Sequence, residues 1–129
     1  MLIYREFFFE AAHFLPSAPP GHPNARVHGH SFRVRVVVEG EPDPETGLVM
    51  PFDELSAAVA DARQALDHHM LNDLEGLKAP TLELIAMWIW DRIGNRVPGL
   101  SEIQVARDSC QEGCIYRGPA RRPSRMAAE

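Results

Sequence analysis

All six histidines of the chain (His13, His22, His28, His30, His68 and His69) fall within the first 69 residues, and three of them are spaced for joint work. His28 and His30 stand two apart in HGHSFRVRVVVE, residues 28–39, a run that alternates polar and apolar positions. Side chains at i and i+2 of a strand project from one face, about 7 Å apart along it, so both rings can converge on a single ion. His13 closes another strand-like run and, on a compatible face, supplies a third nitrogen from the side. Three imidazoles without a thiolate suit catalytic zinc, which keeps one position open for water or substrate. A structural zinc would want four closed ligands, usually with cysteine. The ordinary alternative is a set of core histidines satisfied by hydrogen bonds, and spacing alone leaves both readings open.

Asp67-His68-His69 is the second constellation. A carboxylate beside an imidazole fixes its tautomer and raises its basicity, the pairing used in general acid–base work. The competing reading is a polar helix C-terminus where the dipole favours histidine. Asp108, at the end of a strand-like run, would ordinarily be a turn residue. Thr81 and Glu83 have the positions of an N-cap and a first-turn acid. Trp88 and Trp90 suit packing better than a cofactor box. Cys110 and Cys114 are too few for a disulfide framework and read as reduced, partly buried thiols.

Elements able to position these groups follow from periodicity. Residues 2–14 are rich in aromatic and β-branched side chains, with Ile3, Phe7, Phe9, Ala11 and His13 on one parity. Residues 15–27 hold four prolines and a glycine and predict an irregular loop. In 28–39, His28, His30, Phe32, Val34, Val36 and Val38 share a face, opposite a mainly polar one, as in a half-buried antiparallel strand. EPDPETG (41–47) is turn chemistry. Asp53 is placed to cap a helix through about Leu66 with Leu55, Val59, Ala62 and Leu66 as its stripe. Residues 67–79 form a polar connection. A second helix, about 81–97, carries Leu84, Ile85, Trp88, Ile89 and Ile93 and stops at Pro98-Gly99. Strand patterning returns at 101–109 and briefly at 113–116. Strands and helices are segregated, so the class is α+β with an antiparallel sheet.

A chain of 129 residues makes one domain. Its 45% hydrophobic and 24% charged content is that of a globular protein, and a net charge of −5 argues against nucleic-acid or anionic-membrane partners. With no spanning apolar run and no leader-like start, the expected compartment is the cytoplasm. The stretch after Gly118 lacks apolar period, so 119–129 is expected to be a mobile tail to a domain over 1–118.

FEAAHFLP (9–16), HGHSF (28–32), LDHHMLND (66–73), Pro80-Thr81 with Glu83 before Trp88-Ile89-Trp90-Asp91, and CQEGCIYRG (110–118) together resemble the bacterial 6-carboxytetrahydropterin synthases, relatives of 6-pyruvoyltetrahydropterin synthase. The resemblance spans residues 2–118. It implies the tunnelling fold (T-fold), an antiparallel sheet with two helices on one face, in a homo-oligomer (trimer or hexamer) whose active sites lie between subunits. It places His13, His28 and His30 at the zinc (Zn2+) positions, Asp67 and His68 at the acid–base pair, and Thr81 and Glu83 at the pocket-lining helix start. The implied substrate is 7,8-dihydroneopterin triphosphate, cleaved to 6-carboxy-5,6,7,8-tetrahydropterin, triphosphate and acetaldehyde, a product that feeds queuosine and other 7-deazapurines.

Three positions depart from the family pattern. Asn24 stands where the family has its catalytic cysteine, four residues before the first histidine of H-x-H, and an amide is neither base nor nucleophile at neutral pH. Asp108 aligns with the pterin-anchoring glutamate but is one methylene shorter. Pro51 replaces the usual aspartate before phenylalanine. The readings that follow are a zinc-dependent lyase with His68 as base, a relative cleaving the pterin side chain differently to give 6-hydroxymethyl-dihydropterin, a pterin- and zinc-binding protein without turnover, and an oligomeric module with structural histidines.

Overall fold

Alternation decides the sheet. The computed structural model of the chain describes residues 1–119, so the expected mobile tail lies, from residue 120 onward, outside the described residues. Strands β1 (Leu2–His13), β2 (His28–Glu39), β3 (Leu100–Arg107) and β4 (Glu112–Tyr116) form one antiparallel sheet in sequence order. Helices α1 (Phe52–Leu66) and α2 (Leu82–Ile93) are inserted between β2 and β3.

One face of the sheet is apolar because each strand places its apolar parity there. Phe7, Phe9 and Ala11 of β1, Phe32, Val34, Val36 and Val38 of β2, and Ile103 and Val105 of β3 are buried against the helices. Helix α1 contributes Leu55, Ala58, Val59, Ala62 and Leu66, and α2 contributes Ile85, Ala86, Ile89 and Ile93. The register partners Phe9 and Phe32 stack at 4.7 Å between ring centroids. Each large side chain so buried stabilises the fold by about 1.5–3 kcal/mol relative to exposure. The other face is charged: Glu6 accepts hydrogen bonds from Arg33 and Arg35, and Arg35 lies over the Tyr4 ring.

Element ends differ from expectation for local reasons. Pro51, not Asp53, is the N-cap of α1, since its ring presets the entry angle (φ −59°); Asp53 falls in the first turn, where its charge meets the helix dipole. Helix α2 stops at Ile93 and tightens into a 3-10 turn at Gly94–Arg96 before Pro98. Strand β3 ends at Arg107, and Asp108 opens a 3-10 turn (Asp108–Cys110) that Gln111 leaves in the left-handed region. Gly99 (φ +83°) precedes β3 where a Cβ would come within 2.5 Å of the Glu39 carbonyl oxygen. No described helix is long and apolar enough to cross a membrane.

Candidate metal centre and its flanking clefts

The antiparallel register sets His13 directly opposite His28, while His30 faces Ala11 one pleat further along. Since all three share the inward parity, the rings gather at the end of the β1–β2 pair. Their centroids are 4.6–5.1 Å apart, and one nitrogen from each lies within 4.8 Å of the others. Nitrogens bound at 2.0–2.1 Å to a tetrahedral zinc sit about 3.3 Å from each other, so the donors are close to ligating distance.

Hydrogen bonding sorts the ring nitrogens. His13 Nδ1 contacts the Pro80 carbonyl at 2.8 Å and His28 Nδ1 contacts the Arg26 carbonyl at 2.7 Å. A carbonyl only accepts, so both Nδ1 atoms carry the proton and both Nε2 atoms keep a lone pair. Carbonyl partners of this kind orient metal-bound histidines. His13 Nε2 is buried and has no hydrogen-bond partner, a state that costs about 1–3 kcal/mol and that a cation would relieve. Burial pushes the His13 imidazole below its ordinary pKa, and burial followed by the nearby Arg107 charge pushes His30 down to about 4. Both rings are therefore neutral at pH 7, the form that binds metal. The residues fit a divalent ion of zinc type: three imidazole nitrogens and no carboxylate or thiolate among them.

Asp67 and His68 are positioned by an edge of β1 that the sequence did not reveal. His68 N–H donates to the Glu10 carbonyl, Ala12 N–H donates to the His69 carbonyl, and Met70 makes a parallel bridge with Ala12. The polar connection over 67–79 is thus docked along β1 by two main-chain hydrogen bonds and one isolated bridge. Asp67 Oδ1 accepts the Glu10 amide at 2.8 Å, and Asp67 Oδ2 lies 2.9 Å from His68 Nδ1. The Glu10 amide, then His68, hold the Asp67 carboxyl below the usual carboxylate range. His68 adopts φ 58°, a left-handed conformation costing a non-glycine residue roughly 1–2 kcal/mol, and its side chain stays 78% exposed. Asn72, also unforeseen, clamps this segment: its amide accepts from Phe14 N–H and donates to the Phe14 and Lys78 carbonyls.

Two open clefts flank the imidazoles. One of about 560 Å³ joins His30 and Gly29 to His68, His69 and Met70, so His68 and one imidazole of the cluster share it. The other, about 490 Å³, joins His28 and His30 to Asn24, whose main chain is held by Leu15 and by the His22 ring. Thr81 caps α2 by accepting the Leu84 amide and adjoins Pro80, the partner of His13. Glu83 is exposed in the first turn of α2. Asp108 is not brought to this group: it lies in a separate depression of about 420 Å³, gripped by Arg33 through contacts of 3.1–3.2 Å. Both cysteines are free; Cys114 is partly buried as expected, its thiol pushed up by burial, whereas Cys110 is exposed.

Comparison with known proteins agrees with this architecture. The chain is 42% identical over 130 residues to the 6-carboxy-5,6,7,8-tetrahydropterin synthase of Synechocystis sp., covering 95% of this chain and 97% of that one. It is 39% identical over 112 residues to the dihydroneopterin monophosphate aldolase of Pyrococcus furiosus, covering 87% and 89%. The structure of Caenorhabditis elegans 6-pyruvoyl tetrahydropterin synthase superposes with a TM-score of 0.83 at 23% identity over 92% of this chain and 96% of that chain, which shows the T-fold. The 6-pyruvoyl tetrahydropterin synthase family matches residues 2–119, and with the fold and the relatives in agreement this chain belongs to that family.

Proposed function

We propose that the protein is a zinc-dependent lyase acting on 7,8-dihydroneopterin triphosphate, forming 6-carboxy-5,6,7,8-tetrahydropterin with release of triphosphate and acetaldehyde. The observation that carries this reading is the convergence of three lone-pair nitrogens, from His13, His28 and His30, beside a cleft that also receives His68. Bound there, zinc would supply Lewis acidity to the substrate's side-chain oxygens. Asp67 accepts a hydrogen bond from His68 Nδ1–H, which leaves His68 Nε2 as the base. The Glu10 amide and Arg63 keep Asp67 in place, so the carboxylate orients the ring rather than competing for the proton. Asn24 contributes shape and hydrogen bonding but no proton transfer.

A homo-oligomer, trimer or hexamer, is part of this reading. In one chain Asp108 and the imidazoles line different depressions, and a pterin pocket using both needs a neighbouring copy. Thr81 and Glu83 would line that pocket, Asp108 would hold the pterin's N–H groups, and the site of action would be the cytoplasm, with a product serving queuosine-type biosynthesis.

The amide at position 24 favours a second reading. Cleaving the side chain by an aldol-type step, to give 6-hydroxymethyl-dihydropterin, draws a proton from a hydroxyl and does not need a thiol, and a relative at 39% identity is named an aldolase. Incubation of the zinc-loaded protein with 7,8-dihydroneopterin triphosphate is the test. Release of acetaldehyde and triphosphate is expected; 6-hydroxymethyl-dihydropterin in the mass spectrum would select the second reading. Saturable quenching of pterin fluorescence with no product would leave a binding protein.

A further inference from the structure

Arg107 brings a cation against the imidazole cluster, and no role above uses it. It ends β3 on the same parity as Ile103 and Val105, so its side chain enters the helix-covered face beside His30. Its Nη1 lies 3.4 Å from His30 Nε2. A guanidinium only donates, so the lone pair of His30 that would bind an ion points at Arg107. Nη2 is tied to Glu112 at 2.6 Å, the cross-strand register partner, while Nε is buried with no partner. The side chain is only 17% exposed. A half-buried guanidinium with one unsatisfied N–H, one tether and one nitrogen contact is poised to shift about its tether.

We propose that Arg107 is a positioning residue that competes with the divalent cation for His30 Nε2, holding that ring ready when no ion is bound and yielding its lone pair when one arrives. This rests on the metal reading above. Its physical content is a sign: the positive charge beside the site opposes a second, divalent charge, so Arg107 lowers metal affinity while fixing the His30 tautomer. Glu112 tempers this by neutralising part of the charge and by drawing the guanidinium aside. A residue acting only as a structural support would have the opposite effect when removed, because a loosened site binds metal more weakly.

The experiment titrates the full-length protein with cobalt(II), read by its visible absorption, and with zinc against a competing chelator. Arg107→Gln is expected to bind both ions roughly tenfold tighter or more, the scale of a unit charge beside a divalent ion even at water-like screening. Arg107→Lys, which keeps the charge, should stay near the wild type. Glu112→Gln, at an exposed position, should bind about threefold more weakly or worse, since the guanidinium loses its counter-charge; it also serves should Arg107→Gln not fold. Equal or weaker binding by a folded Arg107→Gln, or unchanged binding by Glu112→Gln, overturns the proposal and leaves the metal site standing. Absence of binding by the wild type sinks the metal reading itself, and this inference with it.

Discussion

His13 and His28 each spend one ring nitrogen on a main-chain carbonyl, and that division of labour leaves the other nitrogen with a free lone pair. His28 is only partly buried, so its removal should spare the core while breaking the donor set. Metal analysis of His28→Ala is therefore expected to show almost no zinc, against one ion per chain in the wild type, with circular dichroism unchanged. His68 and Asp67 act as a unit. His68→Ala and Asp67→Asn should each lower kcat by about 10²- to 10⁴-fold with zinc content retained, the range usual for general acid–base groups. Asn24 offers the converse test. Asn24→Cys should raise the rate of triphosphate release, because it puts an ionisable thiol in the cleft with His28 and His30. Unchanged rates in both His68→Ala and Asn24→Cys would show that the proton transfers lie elsewhere.

At the scale of elements, the turn segment of residues 68–70, docked on β1, does the placing. Its hydrogen bonds to Glu10 and Ala12 carry the acid–base pair to the edge of β1, and the buried Asn72 anchors it through Phe14 and Lys78. Asn72→Ala leaves three main-chain groups without their partner. A loss of about 1–3 kcal/mol in urea unfolding is expected, with faster hydrogen exchange of the Phe14 amide. A stability equal to wild type would mean that water replaces the clamp and that the segment is held by its main-chain bonds to Glu10 and Ala12 alone. Gly99 has a comparable constraint of purely steric origin, since the turn into β3 brings it against the Glu39 carbonyl.

Across the whole molecule the sheet has one apolar face and one charged face, and the charged face makes stability depend on pH. The hydrogen bond from Arg35, opposed by burial and reinforced by the hydrogen bond from Arg33 and by both guanidinium charges, holds the Glu6 carboxyl below its ordinary value of 4.5. The unfolded chain therefore binds a proton at higher pH than the native one. The increment is present above about pH 4.5 and is lost as the pH falls through the native value. Urea unfolding at several pH values should show Glu6→Gln less stable by up to about 1 kcal/mol at neutral pH, the gap closing in acid. A gap independent of pH would assign the loss to packing.

Much of this was legible in one dimension. Strict alternation in residues 28–39 determined which side of the sheet His28, His30 and Phe32 occupy, since parity in a strand is a local property of the pleat. His13 belonged to the same face once the two strands paired in antiparallel register, and the stripes of both helices named most of the helical share of the core, although Leu84 of the α2 stripe is exposed. The ends of elements were less legible: Pro51 displaced Asp53 as the cap because fixed backbone geometry outweighed side-chain preference. Residues 67–79 are the polar connection the sequence suggests, but nothing local in DHHMLND announces where it docks, because its hydrogen bonds join it to Glu10 and Ala12, more than fifty residues away. Arg107 carried a signal that could have been read, the parity it shares with Ile103 and Val105, but its meeting with His30 depends on the β2–β3 pairing. The sequence by itself determined residue types, periodicity and the family pattern. Only the tertiary structure decided which nitrogen of each ring is free, which carboxylate is already engaged by an arginine, and what stands beside the imidazoles, because those are contacts between segments remote in the chain.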